Sequence, residues 1–333
     1  MIERDHAPAR DAQIVVAVVS WNTRKLLGRC LDSLADDAAG GRADVWVVDN
    51  GSTDGSRELV AERYRWATLV TPPENLGYGP AVNLVAQRTD APWLVAANAD
   101  VWLEPGALER LRACAASDDR VGMVGPRLLL LDGSTQISAR PFPSVVSALL
   151  LLTQAMRVSA RARRRLRMAG AWEPAPGEAV PWLTGAFVLM RRCAFDDAGG
   201  FDQTQWLYGE DMDVCWRLRE RGWLIRWQPD AIAHHVHSAA ASQAFHDNAL
   251  LLHIAVAQHL WMLRRRGELA TRTAALAGTL DATLQLLASV RRGYGPRART
   301  RRARVRAELR GQMLGLAPRA RLELLLDARR RSA

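Results

Sequence analysis

Several short stretches of this sequence bring together side chains that can do chemistry. VWVVDN closes an apolar run on Asp49, directly before the glycine- and hydroxyl-rich turn GSTDGS. At the carboxyl end of a parallel strand, where open α/β sheets bind ligands, such an acid can accept from a ribose hydroxyl or a base N–H. The same turn can also do no more than cap a helix. WLVAANADVWL sets Asn98 and Asp100 one residue apart, so both side chains leave the same face of an extended segment. Two oxygen donors there could hold a hard divalent cation against a diphosphate while the cation keeps some of its water. LYGEDMDVCWRLRERGW clusters Glu210, Asp211 and Asp213 at a helix start. One acid in a first turn complements the helix dipole. Three exceed that need, repel, and raise one another's pKa, which is how a carboxylate becomes a general base. PDAIAHHVHS adds His234, His235 and His237, imidazoles that can ligate a metal or simply be solvated at the surface. ENLGYGPAVN places Gly77, Gly79 and Asn83 ahead of a helix, where backbone N–H groups can meet phosphate. It has neither Walker spacing nor the position of a dinucleotide fingerprint.

The elements that must position these groups read as an α/β fold. Short apolar runs alternate with amphipathic ones through the first half, which predicts a mostly parallel sheet wrapped by helices. Strands are expected at 14–19, 45–48, 68–70 and 93–97. Leu26, Leu27, Cys30, Leu31 and Leu34 recur at helical spacing, as do Leu59, Val60 and Tyr64. Ser52, Thr53 and Asp54 offer caps for the second of these helices, and Glu104 with Pro105 predicts a helix over 104–116. From 122 to 140 the pattern turns strand-rich around a DGS turn, and another strand is expected over 182–190. An apolar stretch at 143–156 runs into RVSARARRRLRM, an inserted amphipathic excursion with a membrane-facing character. Beyond about residue 242 the chain is helical, with Leu250, Leu251, Ile254, Ala257 and Leu260 in register and further helices near 274–290 and 302–328.

At 333 residues, with 49% hydrophobic and 24% charged, the chain can bury a sizeable core, which excludes disorder throughout. Four cysteines without a CxxC pair suggest buried free thiols in a reducing compartment rather than a disulfide or zinc framework. No signal peptide is evident, and no run reaches the roughly 18 apolar residues of a membrane span. The net charge of +10 is carried almost wholly by arginine, since Lys25 is the sole lysine. It concentrates at 291–310, with nine arginines against one acid. A basic surface segregated to the C-terminus suits an anionic partner.

Read in order, VVSWN, VVDNGSTDGS, ENLGYGPAVN, NAD, WLTGAFVLMRR, GGFD and GEDMDVCWRLRERGW resemble the motif series of glycosyltransferase family 2, over residues 14–237. Within that family the set is similar to bacterial, especially actinobacterial, rhamnosyltransferases that act on polyprenyl-diphosphate-linked N-acetylglucosamine. The resemblance implies a GT-A domain over 1–240: a nucleotide-sugar-binding half at 12–120, an acceptor and catalytic half at 121–240, and an inserted segment at 143–181. A basic helical extension then covers 241–333. It implies that Asp49 binds the nucleobase or ribose with Ser20 and Asn22 nearby, and that Asn75, Gly77 and Asn83 approach the donor. Asn98 and Asp100 meet its phosphates, Asp100 being the principal ligand of Mg²⁺ or Mn²⁺ and His235 or His237 completing the metal shell. Asp211, with Glu210 as competitor, becomes the base, and Trp182, Thr184 and Gly185 border the acceptor. The expected partners are a nucleotide-diphosphate sugar and a glycan or lipid-linked saccharide. The expected setting is the cytoplasm, peripheral on the inner face of the cell membrane.

Rival readings are a nucleic-acid-binding protein, from the arginine-rich tail, and an NAD-dependent oxidoreductase, from the Rossmann-like first half. A sugar-binding relative without catalysis is a third. No nucleic-acid-reading module accompanies the tail, no fingerprint glycines follow Val19, and Asp49, Asp100 and Asp211 occur together.

Overall fold

The computed structural model describes residues 2–3, 13–152, 174–176, 178–205, 207–236, 249–290 and 296–332. The RARRRLR run and residues 237–248, His237 among them, lie outside the described residues. Two compact units are present, one of Met1–Pro141 with Glu173–Ala240 and one of Phe142–Trp172 with Ala241–Ala333.

In chain order the elements are β1 (Ile2–Glu3), β2 (Ile14–Ser20), α1 (Arg24–Ala39), β3 (Ala43–Asp49), α2 (Ser56–Arg63), β4 (Thr68–Val70), α3 (Tyr78–Ala86), β5 (Trp93–Asn98), β6 (Val101–Leu103) and α4 (Ala107–Ala116). There follow β7 (Val121–Leu129), β8 (Thr135–Gln136), β9 (Ala139–Arg140), α5 (Val145–Leu152), β10 (Trp182–Leu183), β11 (Phe187–Arg191), α6 (Arg192–Asp197), α7 (Glu210–Glu220) and β12 (Leu224–His235). The chain ends in α8 (Ala249–Arg266), α9 (Glu268–Val290), α10 (Pro296–Leu314) and α11 (Arg319–Ser332).

The first unit is built on a 10-stranded sheet in the order β1-β4-β3-β2-β5-β11-β7-β12-β6, with β8 on β7. Strands β4, β3, β2 and β5 are parallel, β11 runs antiparallel between β5 and β7, and β12 lies parallel to β7. The central strands read as near-continuous Val, Ile and Ala because helices cover both faces of a parallel sheet. Helix α1 turns Leu27, Cys30, Leu31 and Leu34 into this core, as its spacing predicts. Registers Ser20↔Asp49 and Val19↔Asn98 bring three candidate residues to one carboxyl edge.

Four expectations change in the structure. The helix expected from Glu104 begins at Ala107, because Gly106 takes φ 78, a left-handed turn that helical geometry excludes. The strand expected over 182–190 is two strands in two sheets: β10 pairs with β9, β11 pairs with β5 and β7, and Thr184 to Ala186 form the break. His234 and His235 lie within a 12-residue β12 rather than after a short strand. The helix expected over 302–328 divides into α10 and α11 at Ala317, since the residue before Pro318 is disfavoured in helical conformation. Cys30, Cys114 and Cys215 are buried free thiols, whereas Cys193 is exposed.

The second unit is helical. Val256, Leu260 and Leu322 form its core with Leu263 and Leu314 against them, and Phe142 stacks on Trp261 at 5.5 Å. Helix α5 packs along α9. Leu269, Leu276, Leu280, Leu284 and Leu287 of α9 are exposed, and so are Val146 and Leu149 of α5. On a helix of 3.6 residues per turn these five leucines share one stripe. Among the described residues no helix is long and apolar enough to cross a membrane.

Candidate functional site

Three groups converge in the first unit. At the edge of β3, Asp49 is 1% exposed and its Oδ1 accepts from the N–H groups of Gly51 and Ser52 and from Nε of Arg57. Oδ2 is buried and has no hydrogen-bond partner among the described residues. A carboxylate held so firmly by one oxygen presents the other to a donor such as a base N–H. Asn22 does not extend toward a ligand: its Oδ1 accepts from Thr53 N–H while its own N–H donates to Ser52 Oγ, so it fastens the β2 loop to the β3 loop. It takes φ 51, costly for a non-glycine residue and typical of functional loops. Ser20 is buried, with its hydroxyl bonded to that of Thr23.

The glycine-rich loop is anchored by a residue that sequence reasoning missed. Asn50 Nδ2 donates to the Gly77 carbonyl and its Oδ1 accepts from Leu76 N–H, tying the loop to the β3 edge. Asn75 Oδ1 accepts from Gly77 N–H at the start of α3. Both ends of the Asn83 amide bond the backbone of Phe201, so Asn83 fixes the GGFD loop against α3.

The second group lies where β6 meets β12. Register His235↔Val101 sets Asp100 beside His235, with His235 Nε2 3.4 Å from Asp100 Oδ1 and both side chains buried. Nδ1 of His235 donates to Gln136 Oε1 at 2.7 Å, which fixes the ring and turns Nε2 toward Asp100. A carboxylate oxygen and an imidazole nitrogen, oriented by a third group, form a donor set that fits Mn²⁺ or Mg²⁺. His234, one residue earlier on the strand, faces away: it stacks on Trp102 at 5.1 Å and pairs with Glu104. Among the described residues no three His, Cys, Asp or Glu side chains gather as a metal site.

The third group is the start of α7. Glu210 is 6% exposed, whereas Asp211 is half-buried and opens toward the break between β10 and β11. Asp211 Oδ2 accepts from Gly185 N–H and Oδ1 from Met212 N–H. A Cβ on Gly185 would stand 3.0 Å from Asp211 Cβ, so any larger residue there requires the acid to shift by a few tenths of an ångström. Burial raises the pKa of Asp211, opposed by the Gly185 and Met212 N–H groups and by Arg140. Burial and the adjacent Asp211 charge push Glu210 up to about 8. Burial raises both acids, and a neighbouring negative charge adds to the rise at Glu210. Asp213 is taken by Arg217 at 2.7 Å and is structural. Just before the helix, Tyr208 takes φ 67, a second strained non-glycine residue beside the site.

Tyr78, also missed from sequence, joins the second and third groups. Its hydroxyl donates to the Gly185 carbonyl, and its pKa is raised well above the ordinary value by burial and by the charges of Glu210, Asp211 and Asp100. The metal-type pair and the acid pair thus flank one phenol. Thr184 N–H donates to Ser138 O and Trp182 Nε1 to Pro141 O, so of the three candidate acceptor residues Trp182 sits on β10 while Thr184 and Gly185 lie in the break that follows it. Tyr78, Asn50 and Gln136 lay inside or beside the quoted motifs. Only their contacts set them apart.

This arrangement, an α/β sheet with its chemistry at the carboxyl edge of the parallel strands, is the GT-A fold of glycosyltransferases. The chain belongs to glycosyltransferase family 2: the model described as "Glycosyltransferase like family 2" matches residues 11–249. It is 35% identical over 248 residues to the N-acetylglucosaminyl-diphospho-decaprenol L-rhamnosyltransferase of Mycobacterium tuberculosis, across 69% of this chain and 79% of that one. A shorter match, 40% over 70 residues, covers 20% of this chain and 26% of rhamnosyltransferase WbbL of Escherichia coli. Among solved structures, the mannosyltransferase PcManGT from Pyrobaculum calidifontis, in complex with GDP-Man and Mn²⁺, superposes with a TM-score of 0.55 at 18% identity. That match covers 94% of this chain and 90% of that one, and it shows the shared fold. The chain is accordingly a glycosyltransferase, in place of the oxidoreductase reading.

Proposed function

We propose that this enzyme is an inverting, metal-dependent transferase that moves rhamnose from dTDP-rhamnose to a hydroxyl of a polyprenyl-diphosphate-linked saccharide, in cell-wall or polysaccharide synthesis. The observation that carries the reading is the break at Thr184 to Ala186, where the Ala186 carbonyl accepts from Asn98 N–H and the Gly185 N–H holds Asp211, so the phosphate-side strand end and the base-side acid meet at one place. Similarity to the mycobacterial rhamnosyltransferase supports the donor and acceptor classes. Asp49 takes the base through Oδ2. Asp100 and His235 hold the divalent cation, with Asn98 at the adjoining strand end. When bound, the cation stabilises charge that develops on the leaving diphosphate. Asp211 withdraws the proton of the attacking hydroxyl, and the N–H of Gly185 holds that carboxylate in place. A single displacement from the face opposite the leaving group inverts the anomeric centre, without a covalent sugar intermediate.

Donor identity is tested by thermal shift, since a ligand that binds only the native state stabilises it, by about 2.7 kcal/mol at 100 times its Kd. Among dTDP-, UDP- and GDP-sugars, dTDP-rhamnose with Mg²⁺ or Mn²⁺ should give the largest shift. Asp49→Asn should weaken donor binding by about 10- to 100-fold, the worth of a hydrogen bond to a charged group. A larger shift with a UDP- or GDP-sugar would reassign the donor.

A lipid-linked acceptor requires access to a membrane surface, and peripheral attachment to its inner face is proposed with it. The exposed leucines of α9 and the apolar residues of α5 supply insertion. The arginine-rich sequence at 291–310 supplies attraction of about 1 kcal/mol per residue near anionic lipid. The enzyme should sediment with anionic vesicles at low salt and release as ionic strength rises. Quantitative recovery in the supernatant at low salt would remove this part of the proposal. Retention on DNA but not on vesicles would favour the nucleic-acid reading of the tail.

A further inference from the structure

Arg140 enters the site only through its charge beside Asp211, and its guanidinium has donors to spare. It is the last residue of β9, and the ribbon register pairs it directly with Trp182 of β10. Directly opposed residues of an antiparallel pair project from the same face. The guanidinium carbon accordingly lies 5.9 Å from the centre of the Trp182 ring.

Most arginines of this unit that are similarly shielded have protein acceptors. Arg191 bonds three carbonyls, Arg217 bonds Asp213, and Arg226 bonds Asp118. Arg140 has no hydrogen bond or ion pair among the described residues, and its Nε is buried without an acceptor. An Nε withdrawn from water and left without an acceptor is costly unless a ligand completes it. Its five donors in a rigid fork match the oxygens of phosphate and carboxylate better than any other side chain does.

We propose that Arg140 binds the diphosphate of the acceptor and so selects diphosphate-linked saccharides over neutral ones. This rests on the acceptor reading above. Trp182, held by its indole N–H on the Pro141 carbonyl, provides a flat wall beside the fork against which a sugar ring can lie. Asp211 is close enough for the Arg140 charge to hold its pKa down against burial. The acceptor sugar thus spans from the carboxylate that takes its proton to the guanidinium that holds its phosphate. No bond is made or broken at Arg140; it is a binding residue that sets register.

Initial rates measured with two acceptors test this, one an N-acetylglucosaminyl diphosphate on a short lipid and the other a neutral alkyl N-acetylglucosaminide. Arg140→Gln should raise the KM for the diphosphate acceptor by about 10- to 100-fold. On the pH plateau above the acidic limb, where Asp211 is ionised in both enzymes, the KM for the donor and the rate with the neutral acceptor should be unchanged. Arg140→Lys, which keeps the charge without the fork, should recover part of the discrimination. Equal losses on both acceptors on that plateau would overturn the inference and leave Arg140 with no role beyond its charge beside Asp211. Unchanged discrimination in both variants would overturn it outright. Wild-type enzyme that glycosylates neither acceptor would instead overturn the acceptor reading, and this inference with it.

Discussion

Asp211→Asn should lower turnover by about 10²- to 10⁴-fold, equivalent to roughly 3 to 5 kcal/mol of barrier, while donor binding changes little. The amide keeps the shape of the carboxyl and the bond from Gly185 N–H, but it cannot take a proton. Glu210→Gln should retain most of the turnover at neutral pH. Burial and the adjacent Asp211 charge push Glu210 up to about 8, so glutamine replaces a group whose neutral form the site already favours. The two variants also differ in pH dependence. A base works only when deprotonated, so wild-type kcat/KM falls as pH drops through the raised pKa of Asp211. That limb should disappear in the residual activity of Asp211→Asn and persist in Glu210→Gln. Loss of turnover in Glu210→Gln with its retention in Asp211→Asn would move the base to the neighbouring residue. Full activity in both would end the proposed mechanism.

Asp100→Ala should abolish metal-dependent turnover, because cation stabilisation of the leaving diphosphate is worth several kcal/mol, or about 10²- to 10⁴-fold in rate. Binding of Mn²⁺ with dTDP, followed by calorimetry, should be lost in parallel. His235→Ala should raise the metal concentration needed for half-maximal activity. Gln136→Ala should do so by about 10- to 100-fold, the usual effect of freeing a ligating imidazole from the group that orients it. The order Asp100, His235, Gln136 follows from the geometry, in which a carboxylate and a ring nitrogen 3.4 Å apart are set by an amide behind the ring. Undiminished turnover of Asp100→Ala in metal-supplemented assays would refute the metal assignment.

Asp49, Asp100 and Asp211 were visible in the sequence because each follows a local pattern that survives folding. An apolar run that ends in an acid and a glycine turn is a strand delivering that acid to the sheet edge, whatever lies beyond. Acids beyond the needs of a helix cap draw attention in the same way. The parallel half followed from apolar runs alternating with helical spacing, and β2, β3, β4 and β5 lie within two residues of the expected positions. The histidine cluster could be found but not resolved, since spacing alone leaves His234, His235 and His237 equivalent. Strand alternation separates the first two once β12 is paired with β6. His235 then faces Asp100, and His234 faces Trp102 and Glu104.

The groups that only the tertiary structure decided are those whose partners lie far along the chain. Asn50 meets the glycine loop at Gly77, Tyr78 meets Gly185, Asn83 meets Phe201, and Gln136 meets His235. Each is an ordinary polar residue until a strand register or helix approach supplies its partner. The same holds for the break at Thr184 to Ala186. An unbroken β-rich sequence carries no sign that two sheets compete for it, and the separation is made by β9 on one side and β5 with β7 on the other. Local pattern determined the α/β class, the acids at its strand ends and the acid cluster at the start of α7, because periodicity and turn chemistry act over a few residues. Which acid faces the open site, which histidine joins Asp100 and where Arg140 stands were decided by packing, because these depend on distances between segments that sequence spacing does not encode.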